Sequence, residues 1–249
     1  MTDNNFIRYS FKAINDGEPV VVTIGSFDGV HHGHRVLLDH LKSMAECLGA
    51  RSVVVTFDPH PRIAMGRDNG MGLLTTIEER AQLLREAGID NMVVARFDDE
   101  FRSQSYEEFV ERSLVDGLGM RGMIVGYNHR LGRGSEGNYE RLVPMAERCG
   151  FALECVAQHK VDGSKVSSTV VRDVIAMGDM ARVRELLGGD FIVMGKANDG
   201  VVEVTDPHKI LPPSGEYCVT INEKTATVIV DNRSIHLSEP LTSDVVIRF

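Results

Sequence analysis

Short apolar runs alternate with longer stretches in which apolar residues recur every three or four positions, and this pattern holds for most of the chain. The runs at 20–24, 53–57, 92–95, 123–125 and 151–156 are bounded by polar, Gly or Pro residues and predict five strands. The amphipathic stretches between them predict helices. Two open on the spacing of a capping box, Thr76 with Glu79 and Ser105 with Glu108. A further helix is expected after Ser167-Ser168-Thr169, and another over 179–187. Strands and helices in strict alternation predict an α/β fold with a parallel, doubly wound sheet.

After Gly188-Gly189 the period changes. Short β-rich segments at 191–194, 201–204, 217–221, 227–230 and 245–249 are separated by turn-forming stretches such as Asn198-Asp199-Gly200 and Pro212-Pro213-Ser214-Gly215. This places a boundary between a large domain, 1–188, and a small β domain, 189–249. No internal repeat or low-complexity linker separates them.

Composition narrows the partners. The 249 residues carry 27 Lys and Arg against 36 Asp and Glu, a net charge of -9, so no diffuse attraction to nucleic acid or anionic lipid is expected. The N-terminal stretch has no basic segment followed by an apolar one, and no apolar run approaches membrane-spanning length. A cytoplasmic protein without a membrane partner is expected. The four cysteines, Cys47, Cys149, Cys155 and Cys218, have neither CxxC nor zinc spacing and read as small buried hydrophobes without disulfides.

Candidate chemistry concentrates where the first strand meets its helix, in Gly25-Ser26-Phe27-Asp28-Gly29-Val30-His31-His32-Gly33-His34. Ligands of open α/β sheets bind at the carboxyl ends of strands, and a helix start there offers N–H groups to phosphate. Gly25 and Gly29 allow turns that a Cβ would hinder, and Gly33 allows close approach of a phosphoryl group. His31 and His34 form an H-x-G-H pair able to offer two imidazole donors to one triphosphate, without either acting as nucleophile. His32 is given no role. Neither G-x-x-x-x-G-K-[ST] nor a G-x-G-x-x-G after the first strand occurs.

The stretch GSFDGVHHGH is very similar to the signature of the FAD synthetase family within the nucleotidyltransferase superfamily. Further matches follow in the family's order. Phe57-Asp58-Pro59-His60-Pro61-Arg62 resembles its F-x-P-H-P segment and Leu74-Thr75-Thr76 the entry to its next helix, both near the family's flavin site. Gly126-Tyr127-Asn128-His129-Arg130-Leu131-Gly132 resembles its nucleotide-contacting G-x-[D/N]-x-x-F-G stretch, with Leu131 in place of the usual aromatic residue. Val166-Ser167-Ser168-Thr169-Val170-Val171-Arg172 is similar to I-S-S-T-x-I-R.

The resemblance implies a Rossmann-like nucleotidyltransferase domain followed by a small antiparallel β-barrel-like domain. It implies transfer of AMP from ATP, with Mg²⁺, to FMN, giving FAD and pyrophosphate. His31, His34, Asn128, Ser168, Thr169 and Arg172 would carry the transfer. Gly25, Phe27, Asp28, Gly29, Gly33 and Gly126 would complete the ATP site, while Phe57, Pro59, His60, Pro61 and Arg62 would bind flavin. No protein metal site is implied, and Asp28 can organise the loop instead of meeting a cation. The oligomeric state is left open.

Bifunctional members continue into a riboflavin kinase barrel with a P-T-A-N motif. That motif is missing here, although LLGGDFIVMG and ILPPSGEYCVTI resemble the flanking segments. A barrel remnant without kinase activity is expected. Two other readings remain beside FMN adenylyltransferase: a nucleotidyltransferase acting on another phosphorylated acceptor, and a noncatalytic flavin or nucleotide sensor.

Overall fold

A computed structural model describes residues 6–14, 16–67, 70–157, 160–161 and 164–249. The chain divides into two compact units that interleave in sequence. The first holds 1–27, 34–69 and 83–159; the second holds 28–33, 70–82 and 160–249.

The first unit is built on six parallel strands: β1 (Ile7–Arg8), β2 (Val20–Ile24), β3 (Arg51–Asp58), β4 (Asn91–Arg96), β5 (Met120–Gly126) and β6 (Ala152–Val156). They lie in the order β1-β4-β3-β2-β5-β6. From β2 the chain winds outward through β3 and β4, then returns to β5 on the other side of β2, so the winding reverses between β2 and β5. Every residue of β2 is buried, as a central parallel strand covered on both faces requires. The reversal matters because ligands of such sheets bind at the carboxyl ends flanking it. β2 ends immediately before Gly25, and β5 ends on Gly126.

The predicted run at 20–24 coincides with β2, three others lie inside longer strands, and the run at 151–156 covers β6. β1 was not predicted: two residues, Ile7 and Arg8, pair with Met92 and Val93, too few to show a period. The capping boxes at Thr76 and Ser105 form as expected. The Thr76 hydroxyl accepts from Glu79 N at 3.2 Å while the Glu79 carboxylate accepts from Thr76 N at 2.9 Å; Ser105 and Glu108 reciprocate in the same way.

The second unit contains a hairpin, β7 (Lys160–Val161) with β8 (Ser164–Lys165), the helices Ser168–Ala176 and Met180–Leu187, and a six-stranded antiparallel barrel. The barrel strands are β9 (Ile192–Asn198), β10 (Val201–Glu203), β11 (Gly215–Ile221), β12 (Lys224–Asp231), β13 (Ser234–Leu237) and β14 (Asp244–Arg248). They close in the order β10-β13-β12-β11-β14-β9, with β9 pairing back onto β10. The expected barrel remnant is therefore a closed barrel, completed by β13, whose Ser234 and His236 hide its period among polar neighbours. Its tight hairpins use paired left-handed residues, Asp199-Gly200 and Asn222-Glu223, the backbone that matches strand twist.

All four cysteines are free thiols, but the expectation that they are buried is corrected. Cys47 and Cys218 are exposed and Cys149 and Cys155 half-buried. Among the described residues no helix is long and apolar enough to cross a membrane.

Candidate active site

The loop leaving β2 carries two non-glycine residues in the left-handed region, Phe27 at φ 46° and Val30 at φ 42°. A β-branched residue there is strained, and such backbone persists only where its surroundings over-determine it. In the second unit those surroundings centre on Asp28, which is fully buried. Its carboxylate accepts from Leu74 N at 3.1 Å, from Thr75 N at 2.9 Å and from the Thr75 hydroxyl at 3.1 Å. It also accepts a short charged bond from Arg172 Nη2, and Arg80 Nη2 lies 3.9 Å away. Gly29 sits at φ 81°, donates its N–H to the Thr75 hydroxyl at 3.1 Å, and would drive a Cβ to 2.6 Å from Leu74 Cδ1. Left-handed geometry and crowding both select glycine here.

His31 follows on the same loop and is buried. Burial pushes its imidazole down to about 4; the Arg172 charge acts in the same direction, and Asp28 opposes it. The ring is neutral at pH 7 and offers a hydrogen bond, not a formal charge. A Cβ on Gly33 would lie 3.3 Å from His31 Cε1, so this glycine packs closely against the ring.

The helix Ser168–Ala176 begins beside this loop within the second unit, capped by the Ser167 side chain, which accepts from Val170 N. Ser168 donates its hydroxyl to the Asp28 carbonyl at 3.0 Å, and Thr169 is exposed. One turn on, Arg172 donates from Nε to the Gly72 carbonyl at 2.6 Å. Two guanidinium groups, Arg80 and Arg172, thus meet one carboxylate, leaving the cluster an excess of positive charge suited to an anion.

In the first unit the Phe27 and His34 rings pack 4.8 Å apart, and a Cβ on Gly25 would come within 3.2 Å of the Phe27 ring. Gly25 is therefore closely packed against that ring and has no left-handed backbone. Gly126 ends β5, and Asn128, in the turn that follows, is exposed.

The same unit holds a cavity of about 920 Å³, lined by Ile24, Gly25 and Ser26 after β2, by Phe57, His60, Pro61 and Arg62 after β3, and by residues 129–135 after β5. Phe57, Phe97 and Phe101 form a cluster with centroids 5.4 to 5.7 Å apart, Phe57 meeting both others edge-on. Arg62, Arg67, Arg102, Arg130 and Arg133 also line the cavity, against Asp99 as the acid. Aromatic rings with many guanidiniums suit a planar anion. His129 lines it too: its Nε2 is out of reach of solvent and has no partner among the described residues, and burial drives its imidazole to about 4. Of the five expected flavin contacts, Pro59 is not among the lining residues.

A model of the FAD synthetase family matches residues 13–170. The bifunctional riboflavin kinase/FMN adenylyltransferase of Pseudomonas fluorescens is 34% identical over 212 residues, 81% of this chain and 68% of the relative. This chain belongs to the FAD synthetase family. The protein of the same description from Escherichia coli K12 is 33% identical over 82% of this chain and 68% of its own length. A crystal structure described as a macrolide-efflux protein from Streptococcus pneumoniae superposes with a TM-score of 0.81, covering 98% of this chain and 88% of the other. At 19% identity that similarity shows the fold alone.

Within this FAD synthetase family chain, Leu131 keeps the position of the family's aromatic residue buried. Its backbone pairs both ways with Gly137, at 3.1 and 2.9 Å, closing the loop that borders the cavity. Thr75 and His129 lie within the family-like stretches but are given no role there, and Arg80 has no motif to announce it. Arg80 lies between Ile77 and Leu84 on the apolar face of the helix Ile77–Glu86 and is buried there; only the contacts of residues distant in sequence show what its charge meets.

Proposed function

We propose that this protein is an FMN adenylyltransferase: the terminal phosphate of FMN attacks the α-phosphorus of ATP in line, pyrophosphate leaves, and FAD forms. The observation that supports it most is a buried, neutral His31 on a strained loop anchored through Asp28 to Arg172, in a chain of the FAD synthetase family. Nucleotidyl transfer spreads charge over the α-phosphate oxygens and the departing pyrophosphate, so catalysis consists of fixed donors and cations aimed at them.

In this reading His31 and His34 donate to triphosphate oxygens, and Arg172 neutralises the leaving pyrophosphate. Thr169 and the N–H groups at the start of its helix hold phosphate. Ser168, whose proton goes to Asp28 O, ties down the loop. Asn128, Gly126, Gly25 and Phe27 take the adenosine part. A phosphate-bound His31 gains a proton more readily than the free protein's, because an adjacent anion favours imidazolium.

Flavin occupies the aromatic and arginine-lined cavity, against Phe57 and His60, Pro61 and Arg62, with Pro59 shaping the turn. The Asp28 carboxylate is engaged by four protein donors, and Mg²⁺ would come with ATP and screen the charge of its phosphates.

Residues 1–188 would carry this transfer and 189–249 the kinase-like barrel, which lacks P-T-A-N and is proposed to have no riboflavin kinase activity. Pyrophosphate release is the test. It should require FMN together with ATP and should not be supported by other phosphorylated acceptors such as nicotinamide mononucleotide; release with the latter alone would reassign the acceptor.

A further inference from the structure

Lys209 lies in the segment between β10 and β11 and is fully buried. Its ammonium donates to Glu79 Oε2 at 2.7 Å, to the Leu74 carbonyl at 2.6 Å and to the Ile192 carbonyl at 2.8 Å, with the Phe191 ring 4.2 Å below. All three N–H donors are therefore engaged. Glu79 spends its remaining capacity on Thr76 N and Met194 N, both at 2.9 Å. Burial pushes the Lys209 ammonium below the usual lysine range, and Glu79 acts against that shift.

The bond to Leu74 is one rung of a larger attachment. Leu73 N donates to the His208 carbonyl at 2.6 Å, and Ile210 N donates to the Leu73 carbonyl at 3.0 Å. Gly72 lies so close to Ile210 that a Cβ would fall 1.8 Å from its Cγ2. Residues 72–75 thus form a strap. One edge is pinned to 208–210; the other presents the Gly72 carbonyl to Arg172 and the Leu74 and Thr75 N–H groups to Asp28. Arg233 of the barrel in turn fastens the 204–209 segment, donating to the carbonyls of Val204, Asp206 and Lys209.

We propose that Lys209 is a positioning residue for adenylyl transfer: by holding the Leu74 peptide it sets Asp28, and through Asp28 the placement of Arg172 and His31. The barrel, without a kinase motif, is by this route a working part of the transferase. The inference rests on the adenylyltransferase reading, which FAD formation by the unaltered protein tests separately.

Three variants of the full chain separate positioning from stability. Glu79→Gln keeps a Lys209 donor for Leu74 but breaks the ion pair. Lys209→Met removes the donor and strands a buried carboxylate. Glu79→Gln with Lys209→Met removes both charges, which restores much of the stability because no unpaired charge remains.

Melting temperature should fall in each single variant and recover in the double. Turnover should behave differently: about tenfold lower wherever Met replaces Lys209, with KM for FMN unchanged, and within about twofold of normal in Glu79→Gln. Normal turnover in the double variant, or turnover that follows melting temperature across the three, would overturn the proposal. Failure of every Lys209 variant to fold would overturn it too, assigning the lysine to stability alone.

Discussion

Thr75 binds Asp28 twice: its N–H at 2.9 Å and its hydroxyl at 3.1 Å both reach Oδ1. The same hydroxyl receives the Gly29 N–H. One side chain therefore joins the carboxylate that holds Arg172 to the left-handed glycine before His31. Thr75→Val keeps the shape and removes the hydroxyl. It should cost about 1–3 kcal/mol, the usual penalty for orphaning a buried polar partner, and reduce turnover more than ATP affinity. Urea denaturation and steady-state kinetics check both; unchanged turnover would detach Thr75 from the transfer loop.

Gly29→Ala meets both a φ of 81° and Leu74 Cδ1 at 2.6 Å, whereas Gly66→Ala meets only a φ of 62° with nothing within 4 Å. The first should destabilise by about 2–4 kcal/mol and the second by about 1. Equal losses of melting temperature would show that the Leu74 contact is absent in solution.

The His31 imidazole falls from an ordinary 6.5 to about 4 in the folded chain. As pH drops, the unfolded chain takes up this proton first. The stability contributed is therefore present above pH 6.5 and lost progressively as pH falls through the interval to 4. The shift corresponds to roughly 3 kcal/mol at most. His31→Gln should lose stability less steeply across that window, as read from urea midpoints. Superimposable pH profiles would mean that His31 titrates normally.

Much of this arrangement was legible in the residues. The apolar run of β2 and the glycine and histidine spacing after it announce a tight loop at a strand end, and Ser167 through Arg172 announce a capped helix with a cation one turn in. The strap was not legible. Nothing in Gly72-Leu73-Leu74-Thr75 marks it as the partner of both Asp28 and Lys209, because those contacts join residues 46 and 135 positions apart. Glu79 shows the limit well: its spacing from Thr76 predicts the capping box that forms, while its buried pairing with Lys209 depends on the fold. Lys209 itself, flanked by His208 and Ile210, has the local look of a solvated loop residue.

His129 brings a buried Nε2, with no partner among the described residues, to the lining of the arginine-rich cavity. A polar group of bound FMN is expected to fill that role. His129→Phe should raise KM for FMN about five- to tenfold, the value of one hydrogen bond, with turnover nearly unchanged. An unaltered KM would remove His129 from the flavin contacts.

The central claim is tested most directly by incubating the protein with ATP, Mg²⁺ and either FMN or riboflavin, then separating the flavins chromatographically. FAD should accumulate from FMN, and riboflavin should yield no FMN. Absence of FAD from a folded protein that still binds ATP and FMN would contradict the transferase assignment and leave a flavin or nucleotide sensor in its place.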